Sequence, residues 1–170
     1  MVPGISRIGI LWVPNPAATG DAWTYYETAA RALKIPLQSL QVRGPKPDIE
    51  GAFRDAVKGN VNGLIAVNNQ LLSLYTKKIV DLAIKSRLPL MFEQIDRVEA
   101  GGLASYSSSD AETFQRAAVL VDKLLKGTKP ADLPVEQPMK FELVINLKTA
   151  NQLGITIPQW TLMKADKVIR

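Results

Sequence analysis

Short apolar runs alternate with segments of helical periodicity in the part of the chain before residue 93. Four runs have the length of buried strands, at residues 7–13, 37–42, 63–67 and 88–92. Between the first two runs, Ala22, Tyr25, Ala29 and Leu33 recur at the spacing of the apolar face of a helix. Strands that alternate with helices through short loops form a parallel sheet with helices on both faces. The sequence therefore predicts an α/β fold with a doubly wound, open parallel sheet and flanking helices.

The pattern changes after Val98. Gly101–Tyr106 predicts a short strand that leaves the first sheet, and a helix with an apolar face follows between Ser109 and Gly127. The apolar face of that helix comprises Phe114, Ala118, Val121 and Leu125. After a proline-rich connection, Phe141–Ile145 predicts a last strand, which is followed by one more helix. The tail from Ile155 onward predicts a short helix or an arm.

The chain contains neither cysteine nor histidine. Disulfides, thiolate nucleophiles, Cys/His zinc sites and Ser-His triads are therefore excluded. The phosphate-binding motif G-x-x-x-x-G-K-[ST] and the nucleophile elbow G-x-S-x-G are absent as well. Only Asp, Glu, Lys or Tyr could carry chemistry, and no pair of carboxylates has a suggestive spacing. We expect no enzyme activity, no catalytic residue, no metal site and no cofactor.

The formal net charge of +5 does not indicate a nucleic-acid partner, because the lysines and arginines are scattered along the predicted helices. No apolar run approaches the ~20 residues needed to cross a bilayer. The segment from Met1 to Arg7 lacks the basic stretch and the long apolar core of a signal peptide. The sequence thus predicts a cytoplasmic protein if Met1 is the true start.

Open parallel sheets bind their ligands beyond the carboxyl ends of the strands. Polar side chains follow several predicted strands, and eight residues are candidate ligand contacts: Asn15, Pro16, Asn68, Asn69, Gln70, Glu93, Gln94 and Tyr106. The amides would exchange hydrogen bonds with the ligand, Glu93 would pair with a ligand amine, and Tyr106 would cover the ligand. Such groups suit the binding of a small polar solute better than they suit catalysis.

Each candidate has a structural alternative. Asn15 lies between two prolines and could simply shape a turn, whereas Asn68 and Asn69 could simply cap the next helix. Glu93 could be a surface carboxylate, and Tyr106 could be an ordinary core residue. The residues alone leave these alternatives open.

Several motifs follow one another in a recognisable order. Leu11-Trp12 precedes Pro14-Asn15-Pro16 near the start, and the densest stretch lies toward the end of the chain. That stretch comprises Val121–Gly127, Lys129–Pro138, Lys140–Ala150 and Leu153-Gly154. Together these motifs resemble the C-terminal half of a family of ABC transporter substrate-binding proteins, of the tryptophan/tyrosine type and with a type I periplasmic-binding-protein-like fold.

The resemblance implies the solute-binding component of an ABC importer, which captures a small polar solute such as an amino acid between two lobes. Residues 1–96 with 141–170 would form the second lobe, and residues 98–138 would belong to the first. The implied location is periplasmic or extracytoplasmic, and the implied protein partner is an ABC permease. The identity of the ligand is not carried over, because Ser107 stands where relatives usually have glycine.

The helix between Ser109 and Gly127 would then present its apolar face to a lobe outside this half. Burial of such side chains is worth roughly 1.5–3 kcal/mol each, so we expect two copies to associate as a homodimer, with exchange of this segment. The alternative function is a stand-alone dimeric regulatory or interaction module without a role in transport. An upstream lobe with a signal sequence would favour transport, and a genuine start at Met1 would favour the module.

Overall fold

The computed structural model describes residues 2, 4–14 and 22–170. Within them the strands are β1 (Ile8–Trp12), β2 (Leu37–Gln41), β3 (Gly63–Ala66), β4 (Leu90–Phe92), β5 (Ala104–Ser108), β6 (Phe141–Asn146) and β7 (Lys167–Ile169). The helices are α1 (Ala22–Leu33), α2 (Ile49–Lys58), α3 (Gln70–Leu74), α4 (Thr76–Lys85), α5 (Ile95–Glu99), α6 (Asp110–Leu125), α7 (Leu147–Leu153) and α8 (Gln159–Leu162). A 3-10 turn spans Pro130–Asp132.

The strands form one sheet in the order β2-β1-β3-β4-β5-β6-β7. β1 to β5 are all parallel to their neighbours, which confirms the predicted α/β architecture. The sheet is mixed rather than wholly parallel, because β6 runs antiparallel to β5 while β7 is parallel to β6. The chain leaves β5 and returns to β6 at the same edge of the sheet. A strand that starts at the edge where its neighbour ends must run antiparallel to it.

Two further segments differ from the expectation based on sequence. β5 does not leave the sheet but pairs with β4 on one side and with β6 on the other. The tail contributes α8 and also the strand β7, which pairs with β6. In both segments the deciding hydrogen bonds join residues that are far apart in the chain, so local patterns do not reveal them.

One face of the sheet is covered by α2, α3 and α4. Leu40, Leu11, Ala66 and Phe92 stand in register across β2, β1, β3 and β4, and all four belong to the main core cluster. The helices add side chains such as Phe53 from α2, Leu72 from α3 and Ile79 from α4 to the same cluster. This core fixes the strand ends that carry the polar candidates.

The opposite face is covered in two separate places. Trp12 of β1 stacks on Trp23 of α1, with ring centroids 5.9 Å apart. Ala104 and Ile145, which are paired across β5 and β6, form a second core cluster with residues of α7 and of the segment after it, including Ala150 and Ile157. The strands between these two coverings, β3 and β4, have no helix of the described residues packed over this face.

α6 lies outside both cores. It has no buried residue, and its apolar side chains Phe114, Val121 and Leu125 are 73%, 51% and 83% exposed. The segment after the helix folds back along it, and Arg116 forms a paired hydrogen bond with Glu136. Among the described residues, no helix is long and apolar enough to cross a membrane.

Helices α1, α2 and α4 end in the same way at the amino edge of the sheet. Each is followed by a residue in the left-handed region, Lys34, Asn60 and Arg87, with φ values of 56°, 54° and 53°. The next N–H then bonds to the carbonyl five residues earlier, as from Ile35 to Ala30 and from Leu88 to Ala83. This is the Schellman ending, in which glycine is preferred because a β-carbon is strained there.

We therefore expect Lys34→Gly and Arg87→Gly each to raise the free energy of unfolding by about 0.5–1 kcal/mol, because glycine relieves that strain. Urea denaturation followed by circular dichroism measures the change. Lys58→Gly is the matched control, since Lys58 is the last residue of α2 and glycine within a helix lowers stability. A lower stability for both Lys34→Gly and Arg87→Gly would contradict the argument.

Candidate functional site at the carboxyl edge of the sheet

The carboxyl ends of β3 and β4 bring four of the predicted contacts to one place. Asn68 and Asn69 follow β3, and Glu93 and Gln94 follow β4, which is hydrogen-bonded to β3. These four residues line a single open hollow. Asn15 and Pro16 lie outside the described residues. Gln70 and Tyr106 are described, but they do not line the hollow.

Glu93 joins three elements at this edge. One carboxylate oxygen, Oε1, accepts a hydrogen bond from the hydroxyl of Tyr26 on α1. The other oxygen, Oε2, accepts one from the backbone N–H of Asn68, at 2.6 Å. The side chain of Glu93 is half-buried, so it is held in one orientation while part of it still faces the hollow. Glu93 is therefore more than a free surface carboxylate.

Tyr26 was not among the predicted site residues. The predicted apolar face of α1 is wrong, because Tyr25 and Leu33 are 76% and 68% exposed. The helix instead turns Trp23 toward Trp12 and Tyr26 toward Glu93. Burial, and then the hydrogen bond and negative charge of Glu93, raise the pKa of the Tyr26 phenol well above its ordinary value. No signal within the α1 sequence distinguishes Tyr26 from its neighbour Tyr25.

The Asn and Gln residues of the predicted site form hydrogen bonds mainly with other parts of the fold. The side chain of Asn69 accepts a hydrogen bond from the backbone N–H of Leu71 at 2.8 Å, so it caps α3 as the structural alternative predicts. Gln70 begins α3 and is exposed. The side-chain oxygen of Gln94 accepts a hydrogen bond from Arg97 at 3.3 Å. Asn68 contributes its backbone N–H to Glu93, and its side chain is exposed at the hollow.

Arg97 on α5 is a second residue that the sequence did not single out. Its guanidinium donates to the carbonyl of Ser73 at 3.1 Å and to the hydroxyl of Ser73 at 2.6 Å. It also donates to the hydroxyl of Thr76, and it forms an ion pair with Asp96 at 3.2 Å. Arg97 thus ties α5 to α3 and α4 beneath the hollow and fixes the loop that carries Glu93 and Gln94.

An aromatic pair stands on the neighbouring strands β5 and β6. Tyr106 stacks on Phe141 with ring centroids 5.5 Å apart, and the two residues are 55% and 47% exposed. Tyr106 is therefore not a core residue of this lobe. Both rings lie where the chain leaves the sheet for α6 and returns from it, and they present an open apolar surface there.

The chemistry of the hollow is that of recognition by hydrogen bonds and charge. It offers one oriented carboxylate, one guanidinium that is already hydrogen-bonded, and three exposed or half-buried amides. Its cavity volume of about 20 Å³ lies far below the ~300–1,000 Å³ of complete small-molecule pockets. In the part of the chain that the structure describes, no cluster of three or more Asp, Glu, His or Cys residues could hold a metal ion.

A family model described as ABC transporter substrate binding protein matches residues 1–169. The chain belongs to this family. Members of the family are substrate-binding proteins that work outside the cytoplasm, and the match extends over both the sheet and α6. No curated protein sequence is significantly similar to the chain.

Solved structures of the same kind are similar over nearly the whole chain. A conserved domain protein from Vibrio cholerae superposes with a TM-score of 0.83 at 25% identity and covers 98% of this chain. The ABC domain in complex with L-Trp from Streptococcus pneumoniae gives 0.82 at 26% identity, also over 98%. An open, ligand-free substrate-binding protein with adhesive properties from Clostridium difficile gives 0.73 at 16% identity over 99%, which supports the fold alone.

The chain is shorter than these proteins. It spans 55% of the Vibrio protein and 56% of each of the other two. The chain thus corresponds to a part of the fold of these proteins.

The Tyr26–Glu93 hydrogen bond predicts that the folding stability of the chain decreases at alkaline pH. Because the folded-state pKa of Tyr26 lies above the ordinary value of 10.0, folding favours the neutral phenol. This contribution to stability is complete below pH 10 and is lost as the pH rises above it. We expect Tyr26→Phe to cost about 1–2 kcal/mol at pH 7 and to weaken the loss of stability above pH 10.

Urea midpoints measured between pH 7 and pH 11 test this expectation. Tyr25→Phe, at the exposed neighbouring position, should leave both the stability at pH 7 and the alkaline slope unchanged. Equal behaviour of the two variants would show that Tyr26 is not bound to Glu93.

Proposed function

We propose that the chain contributes to the capture of a small polar solute, such as an amino acid, by a substrate-binding protein of an ABC importer. The solute would bind in the hollow at the ends of β3 and β4. The observation that carries the proposal is the orientation of the Glu93 carboxylate, which is held by Tyr26 and Asn68 at the rim of the hollow.

Glu93 retains capacity for a ligand. A carboxylate has about four lone-pair positions, and two hydrogen bonds leave room for further donors. An amino group carries the complementary charge and several N–H donors, so it is the natural partner for Glu93. The two terminal nitrogens of Arg97 already donate to Ser73, Thr76 and Gln94, which makes it a support of the site rather than a ligand contact.

Two further observations support an amino acid. The exposed pair Tyr106 and Phe141 offers an apolar surface at the same edge of the sheet, suited to the side chain of such a solute. The relative from Streptococcus pneumoniae was crystallised with L-Trp. Asn15 and Pro16 stay in the proposal as contacts from the segment after β1. Asn68, Asn69 and Gln94 stay as contacts within the hollow, and Gln70 stays as a contact from the start of α3, outside the hollow.

The pairing of the strands supports the proposed division into two lobes. Residues 1–96 and 141–170 would form one lobe, as the resemblance implies. The hydrogen bonds of β5 to β4 and β6 keep residues 104–108 in that lobe, so we narrow the segment of the other lobe to residues 109–138. The solute would be enclosed when the two lobes close, and it would be transferred to an ABC permease on the extracytoplasmic side of the membrane. No feature of the described residues favours the stand-alone module.

Ligand binding predicts a rise in melting temperature, because a solute that binds only the folded state stabilises it. We expect L-tryptophan or another amino acid at about 5 mM to raise the melting temperature, and Glu93→Gln to abolish the rise. Asp122→Asn, on the exposed surface of α6, is the matched control and should behave as the unmodified chain does. If the melting temperature of Glu93→Gln still rises, Glu93 does not contact the solute. If no amino acid raises the melting temperature of the unmodified chain, the proposed solute class is wrong.

For the 170-residue chain by itself, we propose that a second copy covers the apolar face of α6. Five large apolar residues are exposed on this helix, which has no buried residue: Phe114, Val119, Val121, Leu124 and Leu125. They favour association, since full burial of such a side chain is worth roughly 1.5–3 kcal/mol. Sedimentation at micromolar concentration should show a dimer, and Phe114→Lys combined with Leu125→Lys should convert it to a monomer. Gln115→Lys, a polar position on the same helix, should leave the dimer intact. A monomeric unmodified chain would refute this association.

A further inference from the structure

Basic residues precede four neighbouring strands, at the edge of the sheet opposite the hollow. Lys34 precedes β2, and Arg7 precedes β1. Lys58 precedes β3, and Lys85 and Arg87 precede β4. All five residues are exposed. We call this set of residues the basic row.

The pairing of the strands makes the basic row continuous. Ile8 of β1 is paired with Leu37 of β2 and with Gly63 of β3. The next residue of β3, Leu64, is paired with Leu90 of β4, so the four strands begin at nearly the same level. Their order is β2-β1-β3-β4, with neighbours about 4.8 Å apart. This interval is shorter than the Debye length of about 8 Å in physiological salt, so the positive potentials of neighbouring residues add.

The basic row is not neutralised by ion pairs. None of its members forms an ion pair with a described residue. Asp55 and Asp81 lie one turn earlier on α2 and α4, but the partner of Asp81 is Lys77. Asp and Glu are absent from the segments that carry the basic row, which are residues 4–7, 34–36, 58–62 and 85–89.

The helix dipole explains only part of the basic row. Lys58 and Lys85 are the last residues of α2 and α4, where the dipole favours positive charge. Lys34 and Arg87 lie beyond the helix ends in the left-handed region, with φ values of 56° and 53°. Glycine would be less strained at both positions but would carry no charge. Strained residues cluster at functional sites, so these two positions point to a use for the charge.

Aliphatic side chains are exposed beside the basic row. Leu33 adjoins Lys34 and is 68% exposed, and Val57 adjoins Lys58 and is 53% exposed. Exposed aliphatic side chains together with lysines and arginines suit the headgroup region of an anionic bilayer. The phosphates attract the charges, and the aliphatic groups enter the boundary with the acyl chains. The segments that carry the basic row contain no aromatic ring, so nucleic-acid bases would have no surface on which to stack.

We infer that the basic row binds the surface of a bilayer that contains anionic phospholipids. The chain belongs to a family of ABC transporter proteins, and transporters of this kind are embedded in a membrane. The basic row and the hollow lie at opposite edges of the sheet, separated by strands of 3 to 5 residues, or about 10–17 Å. The hollow therefore stays open while the basic row is bound. This inference goes beyond the proposed capture of a solute and does not depend on it.

Co-sedimentation of the 170-residue chain with lipid vesicles provides the test. Vesicles of equal parts phosphatidylglycerol and phosphatidylcholine present an anionic surface, and vesicles of phosphatidylcholine alone are the neutral control. We expect binding to the anionic vesicles only. Binding should weaken by about tenfold or more when the NaCl concentration is raised from about 0.05 M to about 0.5 M, because salt screens the charges.

Two triple variants that lose the same charge locate the binding surface. A basic residue near an anionic surface strengthens binding about fivefold, so loss of three from the basic row should weaken it about a hundredfold. The control, with three exposed lysines changed elsewhere, should bind as the unmodified chain does. Asparagine is tolerated in the left-handed region, so it replaces the two residues found there, and circular dichroism verifies folding. The row variant combines Lys34→Asn, Lys58→Gln and Arg87→Asn, and the control combines Lys46→Gln, Lys129→Gln and Lys164→Gln.

Three results would overturn the inference. Equal weakening in the two triple variants would show that net charge, and not the basic row, determines binding. No binding to the anionic vesicles at low salt would show that the basic row has no affinity for lipid. Binding of a short DNA duplex that the row variant loses, without binding of vesicles, would assign the basic row to nucleic-acid phosphates. Glu93→Gln should bind vesicles as the unmodified chain does, so failure of the proposed solute would leave this result unchanged.

Discussion

A parallel β-sheet has apolar side chains on both faces, and each row left exposed to water forfeits the free energy of its burial. The structure meets this requirement on one face with α2, α3 and α4, whose side chains join the row from Leu40 to Phe92 in one core. It meets the requirement only at the two ends of the other face, through α1 and through the segment after β6. Because of this incomplete covering, Ile65 of β3 and Met91 of β4 stay half-buried on that face.

The same sheet also determines where a ligand would bind. Because β1 to β5 are parallel, the loops after β3 and β4 emerge side by side, and Glu93 can reach the backbone of Asn68. Tyr26 lies on α1, at the other face of the sheet, and donates the second hydrogen bond to Glu93. A carboxylate fixed by two partners is better prepared to bind a ligand amine than a mobile one, because less conformational entropy is lost on binding. The rigidity of the hollow thus derives from elements on both sides of the sheet.

The part of the fold that depends on local periodicity could be predicted. The spacing of apolar residues predicts the strands around Ile10, Leu40 and Ile65 and the helix that contains Phe114. It does so because burial against a sheet or a helix requires apolar residues at short, regular intervals. The partner of β5 and the strand nature of Lys167–Ile169 could not be predicted, because their hydrogen bonds come from strands far along the chain. The same reason explains the error on α1, where Trp12 and Glu93 decide which helix face is packed.

The sequence by itself determined the chemistry that is available at the site. Because histidine and cysteine are absent, carboxylates, amides and aromatic rings are the main groups available to bind a ligand. The order of strands and loops assigned Asn68, Asn69, Glu93 and Gln94 to one edge of the sheet. Only the tertiary structure decided how these residues are used: Asn69 caps a helix, Glu93 is held by Tyr26, and Arg97 supports the loops from below. The physical reason is that residue type limits which hydrogen bonds a side chain can make, whereas the packing of α1, α3 and α5 on the sheet selects the partners that it meets.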